Sequence, residues 1–194
     1  MIAALYVDGS GPYSNRDDVD VWDVERDARK YAGPMPVVAH PPCSSWCQLA
    51  PVNLARWGSP IGDDGGCFES ALASVRRHGG VLEHPAYSIA WSRYGLPAPT
   101  RGMWSASLFD PGLVTEVSQV EYGHTARKRT WLYTVGVGHV EMRWGEQPGD
   151  TVVGAGVNRG ECVGRGRTSS DAAIHTPPEF LETLINMAKK VGTE

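Results

Sequence analysis

No stretch of the chain approaches the roughly 18 consecutive apolar residues that a spanning helix needs, so no membrane partner is expected. The opening Met1-Ile2-Ala3-Ala4-Leu5-Tyr6-Val7 has no basic leader before it meets Asp8, which predicts no signal peptide and a cytoplasmic location. Cysteine is scarce. Cys43, Cys47, Cys67 and Cys162 are too few and too scattered for a disulfide scaffold, and reduced thiols are expected. An excess of positive charge is missing as well. With 18 Lys and Arg against 22 Asp and Glu the net charge is −4, which excludes a nonspecific nucleic-acid coat while leaving room for a local basic groove.

What is present fits one globular α/β domain spanning residues 1–194, since 41% hydrophobic and 21% charged residues supply a core without disorder. The charge is segregated: acids crowd Asp8 to Asp27, Arg127-Lys128-Arg129 form a cationic cluster, and Arg159, Arg165 and Arg167 lie in a glycine-rich segment. Residues 2–7 read as a strand ending in the flexible turn Asp8-Gly9-Ser10-Gly11-Pro12. Val19-Asp20-Val21-Trp22 alternates as a second strand, and residues 23–31 read as a helix with Asp23 near its cap. An acid after a second strand, following a glycine turn on the first, suits ribose binding or simple helix capping, and both stay open.

The stretch around which the rest is organised is Val37-Val38-Ala39-His40-Pro41-Pro42-Cys43, a buried strand running into a turn that two prolines stiffen before it presents one thiol. Residues 49–66 read as a long loop, and Phe68 to His78 as a helix stopped by Gly79-Gly80. Val81-Leu82-Glu83-His84-Pro85 then repeats the pattern of a short strand delivering a polar group and breaking at proline. Cys43 and Glu83 are therefore expected on neighbouring strand ends. Residues 86–112 read as a helix and an aromatic-rich loop, serving base stacking or core packing. Val114 to Val120 and Trp131 to Val137 read as strands flanking a charged turn, at the antiparallel edge of the sheet, with Arg127 and Arg129 on one side as grips for phosphate or a base edge. Residues 145–175 read as a Gly/Arg-rich arm, and 176–191 as a helix capped by Thr176.

Taken in order, Gly9-x-Gly11, Pro41-Pro42-Cys43, Leu82-Glu83-His84-Pro85 and Tyr122-Gly123-(x)3-Arg127-Lys128-Arg129 resemble the signatures of the DNA cytosine-5 methyltransferase family over roughly residues 1–137. More particularly, the chain is similar to short phage- and prophage-type members that keep the catalytic core without a target-recognition domain. The resemblance implies a reduced Rossmann-like, class I methyltransferase-like fold with a mostly parallel sheet and an antiparallel edge strand. It implies that Cys43 adds to carbon 6 of cytosine, that Glu83 holds the base, and that Arg127 and Arg129 brace the nucleotide and help ionise the thiol. It assigns Asp8, Gly9, Gly11, Trp22 and Asp23 to S-adenosylmethionine, and it makes DNA or a cytosine nucleotide the partner, with a separate protein supplying target recognition. Ser44, His84 and Thr125 stand where the family has glutamine, asparagine and glutamine. Two rival readings remain: a binding module derived from that core without its chemistry, and a metal site drawing on His40, Cys43, Cys47, His84 and Cys67.

Overall fold

The computed structural model describes residues 1–145, 147, 149–152, 166–167 and 175–192. The first strand, β1 (Ile2–Leu5), is a run of apolar residues with no exposed surface, as a strand covered on both faces requires. It is followed by β2 (Val19–Trp22), β3 (Val37–Ala39), α1 (Ala50–Trp57), α2 (Cys67–His78), β4 (Gly80–Pro85), α3 (Ile89–Arg93), β5 (Ser105–Ser107) and β6 (Asp110–Ser118). Then come β7 (Ala126–Arg127), β8 (Arg129–Val135), β9 (Thr151–Val152), β10 (Gly166–Arg167) and a terminal helix α4 (Pro178–Lys189).

Seven strands form one mixed sheet in the order β2-β1-β3-β4-β8-β6-β5, and β10-β9-β7 form a small second sheet. Within the seven-stranded sheet parallel pairing is confined to β2, β1, β3 and β4, whereas β8 runs antiparallel between β4 and β6, and β5 antiparallel to β6; the small sheet is parallel. The expected mostly parallel sheet with an antiparallel edge strand is corrected accordingly. β8 lies inside the sheet because Thr130-Trp131-Leu132-Tyr133-Thr134 is buried throughout, and a segment covered on both faces gains most between two partners. The edge on that side is the short β5.

Two helices cover the sheet. Phe68, Leu72 and Val75 of α2 pack on Leu5, Val37, Ala39 and Leu82, while Phe180, Leu184, Ile185 and Ala188 of α4 pack on Ile2, Ala4, Val38 and Val81. Successive residues of each strand thus face opposite layers. Gly80 makes the β3–β4 contact possible: with φ at +121°, a Cβ there would fall 1.9 Å from the Val37 carbonyl oxygen. The α2 and α4 helices match their sequence patterns, although the α4 cap position is Pro177 and no side chain, Thr176 included, caps it.

Two expectations are corrected. Residues 23–31 form turns and one short 3-10 helix at Ala28–Lys30, because Asp23 Oδ1 accepts from the backbone of Glu25 and Arg26 and Asp27 adopts φ 54°, which breaks a continuous helix. The presumed loop 49–66 contains α1, since a proline in the first turn costs no hydrogen bond there and Gly58 at φ 69° ends the helix. The 145–175 arm, with Cys162, Arg159 and Arg165, lies almost wholly outside the described residues. No helix of the described residues is long and apolar enough to cross a membrane.

Candidate functional site

β1 lies between β2 and β3, so the connections leaving its carboxyl end and that of β3 diverge there, the usual ligand position in such sheets. Register sets what enters it. Ala39 pairs with Leu82, which brings the next residues, His40 and Glu83, side by side on the α4 layer. His40 Nδ1 and Glu83 Oε2 are 3.0 Å apart, and His40 Nε2 is 2.8 Å from Tyr13 Oη. An ionised carboxylate only accepts, so His40 Nδ1 is the donor to Glu83. On the other carboxylate oxygen, Glu83 Oε1 accepts from Gln119 Nε2 at 3.3 Å, and the same nitrogen donates to Thr130 Oγ1 at 2.9 Å.

Burial works against ionising Glu83, but the His40 hydrogen bond and charge, with Lys128 and His84 behind them, outweigh it and hold the carboxyl at about 2. Tyr13 is pushed far above the ordinary tyrosine range, first by burial and then by the Glu83 charge. His84, the next residue on β4, faces the opposite layer, with Phe68 at 5.1 Å and Trp91 at 6.3 Å between ring centroids. Burial lowers it to about 4, so it is neutral at pH 7.

Cys43 sits on the β3 tip at the start of a helical turn whose first carbonyl, its own, accepts from Trp46 N at 3.0 Å and Cys47 N at 2.9 Å. The turn is pinned from below. Trp46 is buried against Phe68 and donates from Nε1 to Asp64 Oδ2 at 2.8 Å. The thiol is partly exposed and lies within electrostatic reach of Glu83 and Lys128. Burial raises it to about 11, Cys47 and Glu83 add to the rise, and Lys128 opposes it. The cation that opposes this rise is Lys128, between Arg127 and Arg129, and it does not offset burial.

Arg129 is committed elsewhere. Its guanidinium reaches Glu116 Oε1 at 2.6 Å and lies 4.6 Å over the Tyr87 ring, while Arg101 and the Trp131 indole complete the shell of that buried carboxylate. By strand alternation this cluster shares the α2 layer with Trp131 and Tyr133, across the sheet from Glu83. Arg127 stands on β7 in the small sheet, and both arginines border one small cavity with Arg101, Glu116, Ser118 and Trp144. That cavity is distinct from the Cys43 and Glu83 pair.

The residues expected around S-adenosylmethionine gather only in part. Gly9 touches Asp23, for a Cβ on Gly9 would fall 2.4 Å from Asp23 Oδ2, and only glycine lets the acid at the end of β2 reach the β1 turn. Asp8 accepts from Ser10 and Gly11 N–H closes the turn onto the Asp8 carbonyl at 2.9 Å. Trp22 is engaged by Asp20 at 2.7 Å, by Arg26 4.1 Å from the ring centroid, and by the edge of Tyr31. Asp23 Oδ1 caps the turn that follows β2, accepting from Glu25 N and Arg26 N at 3.0 Å, and Trp22 is occupied by its own neighbours. Among the described residues no group of three or more His, Cys, Asp or Glu is arranged to hold a metal ion.

Tyr13, Gln119, Lys128 and Glu116 did not stand out in the sequence. Tyr13 lies in a turn, Gln119 and Glu116 follow an ordinary alternation, and Lys128 is hidden between two arginines; only the pairing of β4 with β8 and of β8 with β6 brings Gln119 and Lys128 to Glu83. No family model, curated protein or solved structure matches the chain.

Proposed function

We propose that the carboxyl ends of β1, β3 and β4 form a cytosine-5 methyltransferase-like site, on a reduced Rossmann-like sheet, acting on a cytosine of DNA or of a nucleotide. The observation that supports this reading is that Cys43 and Glu83 come from the carboxyl ends of adjacent parallel strands, with Glu83 ionised and its charge raising the Cys43 thiol. Carbon 5 of cytosine is a weak nucleophile. A sulfur–carbon bond from Cys43 to carbon 6 turns the ring into an enamine with nucleophilic character at carbon 5.

In that addition the thiol gives up its proton and ring nitrogen 3 gains one. Glu83 faces the base with Oε1, and His40, bonded to Oε2, is the proton reserve behind it. Cys43 begins as a thiol because burial holds it near 11, so bond formation and loss of its proton are coupled. Gly9 and Asp23, on the turn that Asp8 and Gly11 shape, would hold S-adenosylmethionine, which when bound supplies an electrophilic methyl group. Once carbon 5 carries the methyl group, its proton would pass to water, the sulfur–carbon bond would break, and the nitrogen 3 proton would return to the departing Cys43 thiol, which restores the aromatic ring. Target choice is assigned to a separate partner.

A second reading, a nucleotide-binding module without chemistry, is favoured by the raised thiol alone. Trapping separates the two. An oligonucleotide containing 5-fluorocytosine, offered with S-adenosylmethionine, is expected to form a covalent adduct that Cys43→Ala abolishes. Calorimetric binding of the oligonucleotide with no adduct at any pH up to 10 would leave the binding module standing.

A further inference from the structure

Tyr87, two residues beyond the end of β4, has φ 63°, a left-handed conformation that a bulky side chain rarely holds unless its surroundings impose it. The surroundings here are the candidate site. Ala86 N–H donates to the Arg129 carbonyl at 3.0 Å, and Ile89 N–H donates at 2.8 Å to the carbonyl of Trp46, in the turn that begins at Cys43. The strained residue does not gain burial in return: Tyr87 is 42% exposed, whereas Trp91, four positions on, is 2% exposed. Its ring is nevertheless held. The Arg129 guanidinium lies 4.6 Å from the ring centroid and the Trp131 ring lies tilted at 5.4 Å, and Glu116 fixes both of these neighbours through their N–H groups. A braced aromatic surface thus stands open to solvent beside the Cys43 turn.

We propose that Tyr87 is a stacking platform for the base next to the target cytosine, so that the substrate is a polynucleotide strand with that base unpaired and not a free nucleotide. This inference rests on the functional reading above, in that a cytosine is the ligand. A cytosine drawn out of its stack uncovers one face of its neighbour, and an aromatic ring can cover that face again whatever the base, because every base has a π-face. Tyr87 packs on Trp131, in the layer across the sheet from Glu83, so it meets the neighbouring base and not the ring that Glu83 holds. The guanidinium behind the ring sets its tilt before any ligand arrives, which lowers the ordering cost of stacking.

The test uses single-stranded oligonucleotides carrying 5-fluorocytosine with the fluorescent base 2-aminopurine on its 5′ or its 3′ side, bound to the full chain with S-adenosylmethionine present. At one of the two positions the 2-aminopurine emission is expected to be quenched on binding. Tyr87→Gly, which accepts the left-handed backbone without strain, should abolish the quenching and weaken binding about ten-fold, and Tyr87→Phe should preserve both. Replacing the stacked base by an abasic position should weaken the wild type by a similar factor and Tyr87→Gly no further. Quenching that survives in Tyr87→Gly, or losses from the variant and the abasic position that simply add, overturns the platform; if the variant does not fold, unchanged wild-type affinity for both abasic strands does so instead. Adduct formation is scored separately: Tyr87-dependent quenching without an adduct keeps the platform and removes the cytosine chemistry, whereas an adduct without quenching on either side does the reverse. No binding of any strand sinks both.

Discussion

Glu83 and Glu116 are both buried, on opposite layers of one sheet, and their surroundings solve the same problem in opposite ways. Glu116 is held by two guanidinium groups and an indole N–H, donors that stay charged or fixed at every ordinary pH. Glu83 has a titratable imidazole on one oxygen and a long amide bond on the other. A carboxylate clamped by arginines is a structural tie. One held by partners that titrate or swing aside is suited to exchange protons and hydrogen bonds with a ligand.

The largest expected effect concerns the thiol that only one of these carboxylates touches electrostatically. The alkylation rate of Cys43, followed by peptide mapping so that Cys47 and Cys67 are scored separately, should rise roughly ten-fold per pH unit from pH 7 to 10. Glu83→Gln should shift that profile to lower pH and Glu116→Gln should leave it in place. A plateau near pH 8 would refute the buried thiol.

Substituting the two glutamates sharpens the contrast further. Glu83→Gln should slow adduct formation by on the order of a hundred-fold with a modest change in melting temperature. Glu116→Gln should cost roughly 2–3 kcal/mol of stability, less than a fully buried pair would because Arg101 is partly exposed, and should spare the trapping rate per folded molecule. The reverse pattern would exchange the roles assigned to the two residues.

Acid should separate the neighbours Glu83 and His84. His84 has an ordinary value of 6.5 lowered to about 4 by burial, so the unfolded chain takes up the proton first and stability falls as pH drops from 6.5 to 4. Glu83, lowered from 4.5 to about 2, contributes stability that is present above 4.5 and is lost as pH falls toward 2. Denaturant titrations at stepped pH should show two successive losses, and His84→Leu should remove the upper one only. A single loss confined below pH 4.5 in the wild type would contradict the neutral, buried His84.

The smallest effect is expected at the β1 turn. Gly9→Ala forces its methyl onto the Asp23 carboxylate, which lies 2.4 Å from where the Cβ would sit, and should weaken S-adenosylmethionine binding about ten-fold by calorimetry without touching Cys43 alkylation. Unchanged affinity would remove Gly9 and Asp23 from the cofactor turn.

Much of the frame was readable in the residues. Val37-Val38-Ala39 before His40 and two prolines, and Val81-Leu82 before Glu83-His84-Pro85, announce strands that end in polar residues and a proline, and apolar spacing announces α2 and α4. Residues 23–31 misled because Asp23, a good cap residue, caps a turn that never becomes a helix. The pairing of Arg129 with Glu116 was not legible, because alternation along a strand says which side a residue takes but not which partner waits there.

Local preference in the chain therefore determined which segments become strands or helices and which residue each strand end carries, since apolar period, proline and glycine act over a few positions. Only the tertiary structure decided that β8 inserts beside β4, bringing Gln119 and Lys128 to Glu83 and giving Arg129 to Glu116. The physical reason is that strand neighbours and buried charge partners are chosen by packing between segments far apart in sequence, for which no local pattern codes.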